Sequence, residues 1–116
     1  MKWGKCRFGS LKVDGVEYTK DVVLDGGVLR KRKKKPSRQF RDQFGHTPLS
    51  LHEEIPWKCK RLVIGTGMEA QLPVMEDVVN EAKRRGVEVV LCPTPEAVRL
   101  LAESSADTNA ILHVTC

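Results

Sequence analysis

The chain has 116 residues, enough for one hydrophobic core and too few for two. With 41% hydrophobic and 30% charged residues its composition is that of a folded domain, and no apolar run approaches the ~20 residues that span a bilayer. The formal net charge of +5 is unevenly held: eight basic and no acidic residues fall within 28–41, so the rest holds 12 basic against 15 acidic groups, a net of −3.

The opening Met1-Lys2-Trp3-Gly4-Lys5 leads into no apolar stretch, so no signal peptide is expected. Cys6, Cys59, Cys92 and Cys116 form no CxxC pair and read as thiols of a cytoplasmic protein. Residues 6–13, 16–24 and 28–32 are β-prone, with Asp14-Gly15 and Asp25-Gly26-Gly27 between them. Asp-Gly between two such runs marks a hairpin, because the turn needs positive φ. The pattern predicts a three-stranded antiparallel meander over about 5–33.

Residues 33–48 are polar and broken by Pro36, Gly45 and Pro48. Ser50 and Glu53 have capping-box spacing, which predicts a short helix limited by Pro56. From residue 61 to 116 the pattern is β-α-β-α-β. Residues 61–65 make a buried strand, and Pro73 opens a helix whose apolar face is Val74, Met75, Val78, Val79 and Ala82. Gly86 ends that helix, and 87–92 form the next strand. Thr94 caps a second helix with Pro95 at its first position, and 109–114 form the last strand. Alternating strands and helices imply a parallel core with right-handed crossovers, here with helices on one face and the hairpin layer on the other. No linker divides residues 1–116, which read as a single domain.

The sharpest local signal is Gly65-Thr66-Gly67-Met68-Glu69-Ala70, an approximate GxGxxA after a strand. It falls short of a dinucleotide fingerprint. Pro73 follows three residues after the motif, and no acid ends the next strand. Small-anion binding at the carboxyl edge of the sheet is the alternative, drawing on Gly65, Thr66, Gly67, Cys92 and Thr94, with Thr115 and Cys116 if the last strand is parallel. The plainer alternative is a tight strand exit needing positive φ. Cys92, just before a helix N-terminus, is a conceivable thiolate with His113 as its base. His46, His52 and Cys59 have no zinc spacing, and neither metal nor cofactor is expected.

The basic run comprises Arg30, Lys31, Arg32, Lys33, Lys34 and Lys35, followed by Arg38 and Arg41. Such a stretch suits nucleic acid or an acidic partner. In a strand it charges both faces, so it is expected to leave the sheet and project as a mobile loop. Phe40 and Phe44 would either stack on bases or anchor the loop. A solvated edge that deters strand pairing is the plainer reading. Trp3 and Trp57 are candidate anchors for a protein partner.

Several segments together carry a family likeness. They are Cys6-Arg7-Phe8-Gly9-Ser10, residues 16–27 with Tyr18, Leu62-Val63-Ile64-Gly65-Thr66-Gly67-Met68, residues 92–98, and Ile111-Leu112-His113-Val114-Thr115-Cys116. They resemble the Mth-type domain family of unknown function, relatives of the adipogenesis-associated domain protein and the mitochondrial complex I assembly factor. The resemblance implies an α/β, compact three-layer fold with a mixed central sheet, helices and an antiparallel β-meander layer. It leaves the direction of the last strand open: parallel puts Thr115 and Cys116 beside the glycine turn, antiparallel removes them. It offers no catalytic residues and implies assembly or protein-interaction roles. The expected function is a non-enzymatic protein-binding or assembly factor with no membrane partner. The alternatives are an anion- or nucleotide-handling enzyme at the glycine turn, or a nucleic-acid-binding accessory protein working through the basic loop.

Overall fold

The computed structural model describes residues 1–103 and 106–116. Strands β1 (Trp3–Arg7), β2 (Ser10–Val13) and β3 (Val16–Tyr18) form an antiparallel three-stranded sheet. Its turns use Gly9 at φ 80° and Asp14-Gly15 at φ 52° and 78°, the left-handed angles that Gly and Asp tolerate best. The β-prone run 6–13 is therefore two strands folded at Phe8-Gly9.

The run 16–24 also divides. Residues 19–21 leave the meander, and β4 (Val22–Asp25) begins a second sheet, paired across Gly26-Gly27 with β5 (Val28–Lys31). Val22, Val23 and Leu24 are buried in succession, so this strand has protein on both faces and cannot belong to an outer meander. The expected meander over 5–33 is thus a meander of 3–18 followed by a hairpin of the central sheet.

That central sheet has five strands in the order β5-β4-β8-β6-β7. Strand β6 (Arg61–Gly65) runs parallel to both β7 (Glu88–Cys92) and β8 (Thr108–Leu112), whereas β4 is antiparallel to β5 and β8. The last strand is parallel, which brings residues 113–116 beside the glycine turn.

The path from β6 to β7 steps outward, and the path from β7 to β8 steps back across β6. Right-handed crossovers in opposite directions place their helices on opposite faces. Helix α2 (Glu76–Arg85) accordingly sets Val78 and Ala82 against Leu62, Ile64 and Ile111. Helix α3 (Thr94–Glu103) sets Ala97, Val98 and Leu101 against Val63, Ala110 and Leu112, and also meets Leu11 and Val13 of the meander. The α/β three-layer arrangement with a mixed central sheet stands. Within it, α3 shares the meander's layer instead of lying beside α2.

Three helix boundaries differ from the sequence pattern. Thr94 is the first residue of α3 and not its cap, because its hydroxyl accepts the Gly67 N–H and donates to the His113 carbonyl. The Pro73 carbonyl accepts the Leu49 N–H at 2.9 Å, and Leu49 bridges Val74. Residues 73–75 are thereby held extended, and α2 begins only at Glu76. Residues 50–53 form a turn and no helix, because the Ser50 and Glu53 side chains bond elsewhere. Helical turns occur instead at a 3₁₀ segment, Lys35–Phe40, and a short α1 (Arg41–Phe44) ended by Gly45 at φ 75°.

Ile64 is fully buried and touches α2, whereas Leu91 on the neighbouring strand is 49% exposed. Ile64→Ala is expected to lower unfolding free energy by about 2–5 kcal/mol, and Leu91→Ala by about 0.5 kcal/mol or less, measured by urea denaturation.

Candidate functional site

Just beyond β5, the Arg32 N–H donates to the Asp21 carbonyl at 2.9 Å, and its side chain turns inward to 4% exposure. The guanidinium grips Glu53 with both Nε and Nη2 at 2.8 Å, donates from Nη1 to Asp21 Oδ2 at 2.8 Å, and reaches the Pro48 carbonyl at 3.1 Å. Two carboxylates and a carbonyl make burial of this charge tolerable. Glu53 also accepts from the Ser37 hydroxyl at 2.5 Å, and Ser37 shares a 2.6 Å hydrogen bond with Ser50. The sequence pattern places Arg32 in a projecting loop. The structure buries it, because strand alternation after β5 points it at Asp21, to which the pattern assigns no role, and at Glu53, which the pattern reads as half of a capping box.

Asp21 also faces His113, with Oδ2 2.8 Å from Nδ1, and accepts the Val114 N–H at 3.0 Å. Burial pushes its carboxyl upward, but the hydrogen bond and charge of His113, the Val114 N–H and the Arg32 charge outweigh this and lower it to about 2. An ionised carboxylate only accepts, so a neutral His113 carries its proton on Nδ1. Its Nε2 then faces the Thr115 hydroxyl, 3.2 Å away. Both ring nitrogens are thus engaged, and neither serves Cys92. Burial, with the Glu96 charge, raises the Cys92 thiol, the reverse of thiolate activation.

The glycine turn receives residues 113–116. Gly67 sits at φ 109°, and a Cβ there would strike the Cys116 backbone. A Cβ on Gly65 would lie 2.8 Å from Thr94 Oγ1. The Thr66 N–H donates to Cys92 O at 2.8 Å and the Gly67 N–H to Thr94 Oγ1 at 2.9 Å. Those of Met68 and Gln71 donate to Thr115 O at 2.7 Å and Cys116 O at 2.8 Å. Thr94 Oγ1 donates onward to the His113 carbonyl at 2.6 Å. Gly65, Thr66, Gly67, Cys92 and Thr94 therefore form a seam along the chain's own backbone. Of the seven residues expected to bind an anion, Thr115 and Cys116 line a cleft.

That cleft, about 370 Å³, is walled by Arg32, Lys34, Arg38, Arg41, His46 and Thr115 among others. Arg38 sits in the 3₁₀ segment and Arg41 opens the short α1 directly after it, and both line the cleft. An adjoining groove of about 730 Å³ is lined by Lys20, Lys31, Lys33 and Lys35, and shares Lys34 and Arg38 with the cleft. Among the described residues, no carboxylate pairs with Lys31, Lys33, Lys34, Lys35, Arg38 or Arg41. Arg30 lies apart, 3.7 Å from Asp25 and bonded to the Glu54 carbonyl at 2.8 Å.

Three of the four aromatic candidates, all but Phe44, have partners within the chain. Phe40 packs on His52 with ring centroids 5.5 Å apart, Trp57 lies 5.1 Å beneath Arg85, and Trp3 packs on the core. Sequence reasoning misses Asp21, Glu53, Ser37 and Ser50 as site residues. The one available signal is Asp21, an acid set directly before the apolar run Val22-Val23-Leu24.

The folded Asp21 carboxyl stays ionised down to about 2, whereas the unfolded one protonates from 3.8. Its stabilisation is complete above the unfolded value and is lost as pH falls from about 4 through about 2, amounting to about 2 kcal/mol. Urea midpoints measured across that window should fall for the native chain, and Asp21→Asn should remove this part of the decline.

Residues 4–113 match the family described as "Protein of unknown function (DUF498/DUF598)". The chain is 29% identical to the conserved hypothetical protein PH1505 from Pyrococcus horikoshii OT3, with a TM-score of 0.79 and 100% of each chain covered. It is 25% identical to MT938, with a TM-score of 0.74 over 99% of this chain and 98% of that one. A Bordetella pertussis protein described as a Mth938-like domain is 15% identical with a TM-score of 0.57, covering 97% of this chain and 85% of that one, a likeness of fold. Among the described residues, no helix is long and apolar enough to cross a membrane. The match over residues 4–113, together with these full-length structural likenesses, establishes that the chain belongs to the DUF498/DUF598 family and has the Mth938-like fold.

Proposed function

We propose that this chain is a protein-binding domain that recognises an acidic segment of its partner through the basic face built by residues 31–41. One observation carries this reading. Six cations without a carboxylate partner among the described residues, Lys31, Lys33, Lys34, Lys35, Arg38 and Arg41, surround two adjoining concavities. Like charges so gathered repel one another, and a negatively charged ligand relieves that repulsion.

Two further features favour binding over turnover, and protein over nucleic acid. The amides of the glycine turn are engaged by residues 92, 94, 115 and 116, which argues against a phosphate cradle there. Phe40 is already packed against His52 in a tilted contact, whereas sequence-tolerant binding of single strands draws much of its affinity from free aromatic rings. The resemblance to a family with an assembly factor among its relatives points the same way. Four free cysteines suit a reducing, cytoplasmic setting.

The test is titration of a fluorescent polyglutamate peptide across a salt series. Affinity should fall steeply with salt. Replacing Lys33, Lys34 and Lys35 with alanine together should weaken binding about tenfold and flatten the salt dependence. Unchanged affinity in that variant would reduce the run to a solvated edge. Tighter binding of a single-stranded oligonucleotide of equal charge, at equal salt, would assign the face to nucleic acid.

A further inference from the structure

We propose that the inner cleft is a binding site for a phosphate monoester dianion, held by Arg38, Arg41 and Lys34. This rests on the reading of the basic face as the recognition surface and adds the chemistry of one subsite within it.

The charges around the cleft decide the ligand class. Arg32 lines the cleft but is held by Asp21 and Glu53, so it offers no free charge. Its single charge against those two carboxylates leaves one negative charge beneath the cleft. Lys34, Arg38 and Arg41 have no such partner among the described residues. Counted formally with His46 and His113 neutral, the set carries an excess of two positive charges, which a dianion neutralises and a lone carboxylate does not. A phosphate monoester carries about −1.5 to −2 charge and three acceptor oxygens. Two guanidinium forks lining one cleft match those oxygens better than they match a single carboxylate. His46 and Thr47 add polar side chains at the rim, and Thr115 adds a hydroxyl. The volume of about 370 Å³ admits a phosphate with a small attached group.

The walls are also fixed before any ligand arrives. Ser37, in the middle of the 3₁₀ turn, is fully buried and bonded to Glu53 and Ser50, so the backbone that carries Arg38 and Arg41 is anchored. On the far side, the glycine turn anchors Thr115 through the Met68 N–H. A site held from both sides loses little freedom on binding.

The same dianion could come from a phosphorylated side chain of the acidic partner or from a free small phosphate. The experiment titrates the whole chain with inorganic phosphate, with an acidic phosphoserine peptide and with the same peptide carrying serine, following amide chemical shifts. Phosphate should saturate with shifts at residues 38–47 and 113–116. Arg38→Ala and Arg41→Ala should each weaken it about tenfold or more, the loss expected of a charge-assisted hydrogen bond, while Lys33→Ala in the outer groove should change it less than about twofold. Unchanged melting temperatures would confirm that these variants fold.

A phosphopeptide that binds more tightly than both phosphate and the serine peptide, an advantage lost in Arg41→Ala, supports the site with a partner's phosphate as its ligand. Phosphate that binds as tightly as the phosphopeptide supports it with a free phosphate. Non-saturable shifts, or equal losses in the Lys33 and Arg41 variants, would overturn it in favour of diffuse attraction. If phosphate fails and the phosphopeptide binds no better than the serine peptide while polyglutamate still binds, the cleft proposal alone falls. If polyglutamate also fails, the reading of the whole face falls.

Discussion

The guanidinium of Arg32, held between the carboxylates of Asp21 and Glu53, joins three stretches that are remote in sequence. It links the end of β5, the residues between the two sheets and the turn at 50–53. Asp21 extends the join to His113 and Val114, and Glu53 extends it to Ser37. Taking such groups out of water costs several kcal/mol per ion, so an incomplete version would be destabilising. Here each charge meets at least one opposite charge at 2.8 Å, and among the described residues no buried side-chain nitrogen or oxygen lacks a partner. Removing one member would strand the others, which couples the basic face to the fold.

The parallel half supplies the other side of the cleft. Its crossovers leave β6 and β7 toward opposite faces, the arrangement that opens a crevice beyond the carboxyl ends of the strands. In this protein residues 113–116 lie in that position, bonded to the amides after β6 and to Thr94 at the start of α3. Gly67 is there because any side chain would strike Cys116. The crevice is filled from within, and the concave surface moves outward to where Thr115 and Cys116 meet the residues after β5.

Local patterns disclose much of the fold. Gly86 marks the end of α2, Asp14-Gly15 and Gly26-Gly27 mark two-residue turns, and the apolar spacing of α2 and α3 shows which faces are buried. Each of these is decided within a few residues. Tertiary pairing overrides local pattern elsewhere. Pro73 has the pattern of a helix start, but Leu49 pairs with that segment and keeps it extended. Ser50 and Glu53 have the spacing of a capping box, yet the buried Arg32 and Ser37 claim their side chains. The candidate site is legible only in halves. The basic run and the Thr115-Cys116 pair both stand out, but their meeting depends on the direction of β8, which no short-range signal encodes. Asp21 and His113 lie 92 residues apart, beyond any spacing argument.

A buried ion network is weak evidence for stability, since well-packed apolar residues of similar volume often do as well or better. Its presence needs another physical reason, and position supplies one. An apolar residue at 32 could fill the same space, but it would not align Glu53 to accept from Ser37, and Ser37 anchors the turn that carries Arg38 and leads into Arg41. Gathering Lys34, Arg38 and Arg41 around one cleft is itself unfavourable, because like charges at short range repel. A loose loop would relax by swinging them apart into water. The Asp21–Arg32–Glu53 network resists that relaxation, using the one basic residue of the run that faces inward to hold the others facing outward. The repulsion is retained in the free protein and becomes available as affinity for an anion, which is why the buried charge and the exposed ones form one device.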